Sequence, residues 1–318
     1  MNTQPTDLVS RRKFLAIIGE VTTATFVAPR QLFAAELGIV EKMRSGAATA
    51  RISVEKLRGD ISVIIGSGGN IGVLTGRDGK FLVDAGLTGS RPEISDSLAQ
   101  ISDDPIKHLI NTHWHFDHTD GNEWLHSAGA AIHAHPNTRK HLATTTRVEA
   151  WNFTFPPSPA GALPTELVDS DRKLELNGTT IETKYYGPSH TDGDLWVYFT
   201  VADVLHVGDT WWNGHYPFID YSTGGSIDGM IRAAEANVAK AGAKTIVIPG
   251  HGPVGGRTEL GQFRDMLVTI REKVSALKRK GKPLAEIVAA KPSAEFDAKW
   301  GGFVITPEVF AGLVYAGV

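Results

Sequence analysis

Asn111-Thr112-His113-Trp114-His115-Phe116-Asp117-His118 sets three imidazoles and a carboxylate within six residues. The run before it, Ile106 to Asn111, reads as a short strand. The run after it, Thr119 to Leu125, reads as a loop turning into a helix, so the cluster sits on a strand-to-helix turn. On a helix His113 and His115 would point to nearly opposite sides. In extended backbone residues i and i+2 share a side and can grip one ion. Asp117 and His118 then return at the turn. Imidazole is the commonest metal ligand, and an HxHxDH pattern is far more specific than a lone histidine pair.

The 318 residues suffice for one large domain or two small ones, and 42% hydrophobic content supports a sizeable core. A net charge of −3 argues against a surface that coats nucleic acid. The chain has no cysteine, which excludes disulfides, thiolate nucleophiles and zinc–thiolate sites; any metal must be held by nitrogen and oxygen. At the N-terminus, Ser10-Arg11-Arg12-Lys13-Phe14-Leu15 precedes a short apolar run that closes near Phe33-Ala34-Ala35. Paired arginines before such a run resemble a twin-arginine export signal. The expectation is a signal over residues 1–35, the twin-arginine machinery as a partner, and a periplasmic or exported location. Residues 36–318 then form a single domain with a helical C-terminal extension.

Along that domain, Ile61–Ile65, Ile71–Thr75 and Lys80–Asp84 read as three short strands split by glycine turns, an antiparallel meander. Asp84 ends the third. Helix over Glu93–Ile101, strand from Ile106, helix near Glu123–Ser127, strand Ala130–His135 and helix Asn137–Leu142 alternate through the middle. Arg147 to Leu163, with Trp151, Phe153 and Phe155 among prolines, reads as irregular: either a site wall or a loop over the core. Strands return at Arg172–Leu176, Thr180–Tyr186, Leu195–Val201, Val204–Val207 and Thr245–Ile248, with Asn177-Gly178 as a hairpin turn. Helix Ile227–Ala241 and a long stripe from Leu260 to Leu277 complete a layered α/β sandwich.

Three more ligand-type residues follow strands, each beside glycine: His190 in Gly187-Pro188-Ser189-His190-Thr191, Asp209 in Gly208-Asp209-Thr210, and His251 in Pro249-Gly250-His251-Gly252. With Thr112-His113-x-His115-x-Asp117-His118, this ordered set resembles that of the metallo-β-lactamase-fold hydrolases, over roughly Ile61 to Gly255. The resemblance implies a four-layer αββα sandwich with a two-metal site at one edge. Carried over by position, it implies that His113, His115 and His190 bind one metal, that Asp117, His118 and His251 bind the other, and that Asp209 bridges them. Asp84 matches the strand-end aspartate that orients a ligand. The best-known β-lactamases of the fold have cysteine where Asp209 stands or use a different second site. Aspartate there is similar to glyoxalase II, lactonases and the RNA-processing members.

The resemblance implies a metal-bound hydroxide that attacks an ester, thioester or lactone carbonyl of a small molecule, with Asp117 as a catalytic group orienting it. Zinc is the default for such nitrogen and oxygen donors, with iron or manganese as alternatives. A β-lactamase-type amide hydrolase is the second reading and a phosphodiesterase the third. His206 is expected to pack in a strand. His215, Trp114, Trp211, Trp212 and Tyr216 are read as either pocket wall or core, and His108, His126, His133, His135 and His141 as structural or surface residues.

Overall fold

The computed structural model describes residues 38–66 and 68–318. The arginine pair and its apolar run lie outside them. The first described helix, α1 (Ile39–Ala47), buries Ile39, Val40 and Ala47. The meander predicted from the glycine turns is present: β2 (Ile61–Ile65), β3 (Ile71–Leu74) and β4 (Lys80–Val83) pair antiparallel, preceded by an exposed edge strand, β1 (Ser53–Lys56). After β4 the sheet changes direction. A parallel partner needs a crossover, and α2 (Arg91–Ile101) supplies it before β5 (Ile106–Ile110). Beyond β5 come α3 (Phe116–Thr119), α4 (Asn122–Ser127), β6 (Ala131–Ala134) and α5 (Pro136–Ala143).

The stretch read as irregular holds a small separate hairpin, β7 (Thr146–Val148) with β8 (Phe153–Phe155). Asn152 turns it with φ of 49°, a left-handed conformation that asparagine tolerates. Two residues, β9 (Glu166–Leu167), then close the first sheet, whose order is β1-β2-β3-β4-β5-β6-β9. The second sheet is β10 (Arg172–Leu176), β11 (Thr179–Tyr185), β12 (Leu195–Phe199), β13 (Val204–His206) and β14 (Ile246–Ile248), antiparallel except for β13 with β14. Asn177 and Gly178 both have positive φ, 53° and 73°, as the tight turn between β10 and β11 requires.

Burial explains the layering. Val63, Phe81, Val83 and Ile110 of the first sheet face Ile181, Val197, Phe199 and Val204 of the second. The outer face of the first sheet, with Ile64, Leu82, Leu109 and Ile132, is covered by Ile94 and Leu98 of α2 and by Trp124 and Leu125 of α4. The outer face of the second, with Leu205 and Val247, lies under α6 (Ile227–Lys240) and α7 (Arg257–Arg279), through Met230, Phe263, Leu267 and Ile270. Each fully buried side chain of this kind contributes roughly 1.5–3 kcal/mol. Three short helices, α8 (Leu284–Ala289), α9 (Asp297–Trp300) and α10 (Pro307–Gly317), pack on this side. The result is the four-layer αββα sandwich expected from the sequence. Among the described residues no helix is long and apolar enough to cross a membrane.

Candidate metal centre

The ends of strands from both sheets meet at one edge. β4 runs out into Asp84, β5 into residues 111–118, β13 into Asp209 and β14 into His251, while His190 sits on the β11–β12 loop. Backbone bonds tie these ends together: Leu195 N donates to Thr112 O (2.8 Å) and Gly250 N to Gly208 O (2.8 Å), each across two segments of the site. His113 and His115 lie in non-helical backbone, and Asp117 and His118 fall in the first turn of α3. That is the extended-then-turn arrangement predicted for the motif.

All seven sequence-selected side chains are buried and converge. Donor atoms of His113, His115, His190 and Asp209 lie within 4.8 Å of one another, and those of Asp117, His118 and His251 form a second group on the same criterion. Asp209 faces both. Its Oδ2 is 3.3 Å from His190 Nε2 and 3.7 Å from His113 Nε2, while its Oδ1 is 3.1 Å from His118 Nε2 and 3.5 Å from His251 Nε2. Asp117 Oδ2 is 3.2 Å from His251 Nε2.

The outward-facing nitrogen of each of four rings is fixed by the protein. His118 Nδ1 donates to Asp84 Oδ2 (2.8 Å). The Thr112 hydroxyl donates to the same oxygen (2.8 Å) and accepts from His113 Nδ1 (3.0 Å), and Thr112 N donates to Asp84 Oδ1 (2.7 Å). Asp84 thus orients one ring in each group. It does so from a left-handed backbone, φ 68°, at the sheet edge. His115 Nε2 donates to Asp220 Oδ2 (3.0 Å), and His190 Nδ1 donates to Phe218 O (2.8 Å). Such outer partners set the tautomer, so that the opposite nitrogen presents its lone pair to the centre.

Asp220 escaped the sequence reading. It is fully buried, accepts also from the Thr223 hydroxyl (2.7 Å) and Ser222 N (3.0 Å), and through Thr223 reaches Trp114 Nε1 (3.1 Å). Its one signal was a carboxylate inside the apolar run Tyr216-Pro217-Phe218-Ile219-Asp220, where burial demands a partner.

Electrostatics fit a centre built for positive charge. Burial works against charging His118, yet the carboxylates of Asp209, Asp117 and Asp84 hold its pKa well above the ordinary imidazole value. Burial is likewise overcome at His251, pushed up to about 9 by Asp209 and Asp117. The surrounding imidazoles, His118 foremost, keep the Asp209 carboxyl well below its usual range despite burial. His113 goes the other way: burial and then His118 depress it well below the ordinary value. His113 Nε2 and Asp209 Oδ1 are buried without hydrogen-bond geometry to any described residue. Left so, each is costly. Seven nitrogen and oxygen donors in two groups sharing one carboxylate are compatible with a binuclear metal site.

Glycines make room for these rings. A Cβ on Gly69 would come within 2.1 Å of His118 Cε1, and one on Gly250 within 1.9 Å of Asp209 Oδ1.

The remaining readings divide. His206 packs in β13, buried, with Nε2 on Asn70 O (3.1 Å). Trp114, Trp211 and Tyr216 are buried away from the metal pocket, whereas Trp212 lines it and sits 4.3 Å from the His251 ring. Trp151, from the stretch left open between wall and loop, lines it too. His215 does not; it packs on Phe303, which does. His135 caps α5 and His141 bonds Asp192, both structural.

Residues 64–251 match the model of the metallo-beta-lactamase superfamily, more than half of the chain. The chain belongs to that superfamily. Solved structures agree on the fold. A double mutant of the sec-alkyl sulfatase PisA1 superposes with a TM-score of 0.64 at 19% identity, over 83% of this chain and 50% of that one. This chain therefore spans half the length of the sulfatase. A metallo-beta-lactamase from Pontibacter korlensis gives 0.54 at 17% identity, over 68% and 99% of the two chains, and the DIM-1 metallo-beta-lactamase 0.53 at 21%, over 69% and 99%. Membership of this superfamily and the two donor groups together agree with a binuclear metal site.

Proposed function

We propose that the protein is a metal-dependent hydrolase acting on a small uncharged ester, thioester or lactone. One observation carries the choice: the pocket facing His115, Asp117, His190, Asp209 and His251 is walled by Trp151, Trp212, Phe218, Phe303, Ile39 and Met43, and among the described residues no lysine or arginine lines it. An anionic group held away from the ions, such as a β-lactam carboxylate, finds no countercharge in such walls. An apolar neutral acyl compound loses nothing there. Aspartate at position 209 supports this reading, because the resemblance associates it with lactonases and glyoxalase II; the apolar walls favour a lactone or simple ester over a charged thioester.

Two divalent ions, zinc by default and iron or manganese as alternatives, would supply a water whose pKa is lowered to roughly 7 and a Lewis acid for the carbonyl oxygen. The rest falls to the protein. His113, His115 and His190 would hold one ion and Asp117, His118 and His251 the other, with Asp209 facing both groups. Asp117, on the pocket side, orients the attacking water through its carboxylate. Asp84 and Asp220 keep the rings in the productive tautomer, and the aromatic walls exclude bulk water. We also propose export through the twin-arginine route, on the strength of Ser10 to Leu15, which suits a protein that folds around its metals before transport.

The test is a panel offered to metal-loaded protein: 4-nitrophenyl acetate, a γ-lactone, an acyl thioester, a chromogenic cephalosporin and bis(4-nitrophenyl) phosphate. Ester or lactone turnover that disappears with a chelator and returns with zinc is expected. Turnover confined to the cephalosporin or the phosphodiester overturns the reading.

A further inference from the structure

The pocket above the centre is too small for the reaction assigned to it. Its cavity measures about 20 Å³, room for a single water. Beside it lies a cleft of about 410 Å³, lined by Trp114, Leu142, Phe155 and Ala162 and opening past the exposed Pro156 and Pro157. Sites for small molecules run to roughly 300–1,000 Å³, so the cleft has the size that the pocket lacks.

Among the described residues one side chain borders both. Phe116 lines both spaces, and on either side of it the same segments split their residues between the two. On α1, Met43 faces the pocket and Arg44 the cleft. Around the β7–β8 hairpin, Trp151 faces the pocket and Phe155 the cleft. The Phe116 ring lies 5.8 Å from Trp151 and 5.7 Å from Phe155, centroid to centroid. Arg44 rests 5.4 Å over Phe116 and pairs with Asp120 at 3.0 Å, so these charges at the cleft neutralise each other. Phe116 stands between His115 and Asp117, whose backbone is fixed, but its ring can turn about χ1 and χ2.

We propose that the cleft is the subsite for the substrate's acyl chain and that Phe116 is the movable partition through which that chain reaches the centre. The occupant that fits is an uncharged alkyl or aryl acyl group: Trp114, Leu142, Phe155 and Ala162 give it an apolar flank, Glu123 on the same lining disfavours an anionic end, and among the described residues the arginine of the lining, Arg44, is already paired with Asp120. The proposal rests on the ester reading, and deepens it by assigning chain-length specificity to residues other than the seven donors.

The test uses full-length, metal-loaded protein, two substrates and one inert probe. 4-Nitrophenyl acetate and 4-nitrophenyl octanoate report kcat/KM, and octan-1-ol reports binding by calorimetry. Ala162→Phe fills the cleft and Phe116→Ala removes the partition; circular dichroism checks that each folds. Ala162→Phe is expected to lower the octanoate-to-acetate ratio of kcat/KM about tenfold or more, a discrimination apolar pockets achieve, and to weaken octan-1-ol binding similarly. Phe116→Ala is expected to raise the ratio. Ratios that stay fixed in both variants, or octan-1-ol binding that Ala162→Phe leaves intact, overturn the proposal. Should neither ester be turned over while octan-1-ol still distinguishes Ala162→Phe from the parent, the cleft stands as a ligand site and the ester reading falls.

Discussion

Replacing His133 by leucine should make the protein less sensitive to acid, by an amount the structure fixes. His133 lies on β6, 5% exposed, between Phe81 and His108, with ring centroids 6.5 and 5.7 Å away. Neither ring nitrogen has a hydrogen-bond partner among the described residues. Burial, and after it the neighbouring His108 and Arg172, lower its pKa to about 4 from an ordinary 6.5. Above pH 6.5 both folded and unfolded chains carry it neutral, and it costs nothing by titration. As pH falls below 6.5 the unfolded chain takes a proton that the folded one refuses, and stability drops until pH reaches about 4. A gap of about 2.5 units corresponds to about 3.4 kcal/mol in full, of which about 2 kcal/mol is lost by pH 5. Urea unfolding of parent and His133→Leu at pH 8 and pH 5 gives four stabilities. The parent should lose about 2 kcal/mol more than the variant between the two pH values; the metal centre affects both proteins alike and drops out of the difference. Equal losses in the two proteins would falsify the argument, because they would mean that the folded state accommodates the proton.

The centre yields three further expectations. Asp84→Asn sets an amide N–H against either Thr112 N–H or the pair of donors on Oδ2, so affinity for both ions should fall by about 100-fold, read by competition with a chromophoric chelator; loss at one position alone would contradict the shared role. Gly69→Ala drives a methyl into a ring that Asp84 pins, and metal analysis should find close to one ion per chain in place of two. Asp220→Ala leaves His115 Nε2 without an acceptor and should weaken ion binding about 10–100-fold, with Asp220→Asn recovering part of it; unchanged affinity in the alanine variant would reduce Asp220 to a packing residue.

Much of this was legible in the chain because the decisive signals are local. His113 to His118 sit within six residues, and the glycines near His190, Asp209 and His251 mark strand ends, so motif and register could be read together. Helical periodicity likewise exposed α6 and α7. What could not be read depends on long-range partners. β1 is exposed at every position and β9 has only two residues, so neither carries an alternating pattern. The β7–β8 hairpin has only three residues per strand, is followed at once by Pro156-Pro157, and reveals itself only by pairing. Asp220 looks like an ordinary loop aspartate until His115, 105 positions away, is seen to need it. The pocket walls fall in the same class: Ile39 and Met43 come from α1 and Phe303 from just before α10, and nothing in either stretch announces that the two ends of the domain meet over the centre.

Asp84 grips a ring from each half of the centre, directly through His118 and through Thr112 to His113. Ordering either half therefore prepares the other, since the carboxylate can settle only once. Occupancy should climb as a sigmoid with free metal concentration, with little of a singly filled species at any point. A cell that supplies metal sparingly would then hold this protein as two populations, empty and fully equipped, rather than as many half-working copies.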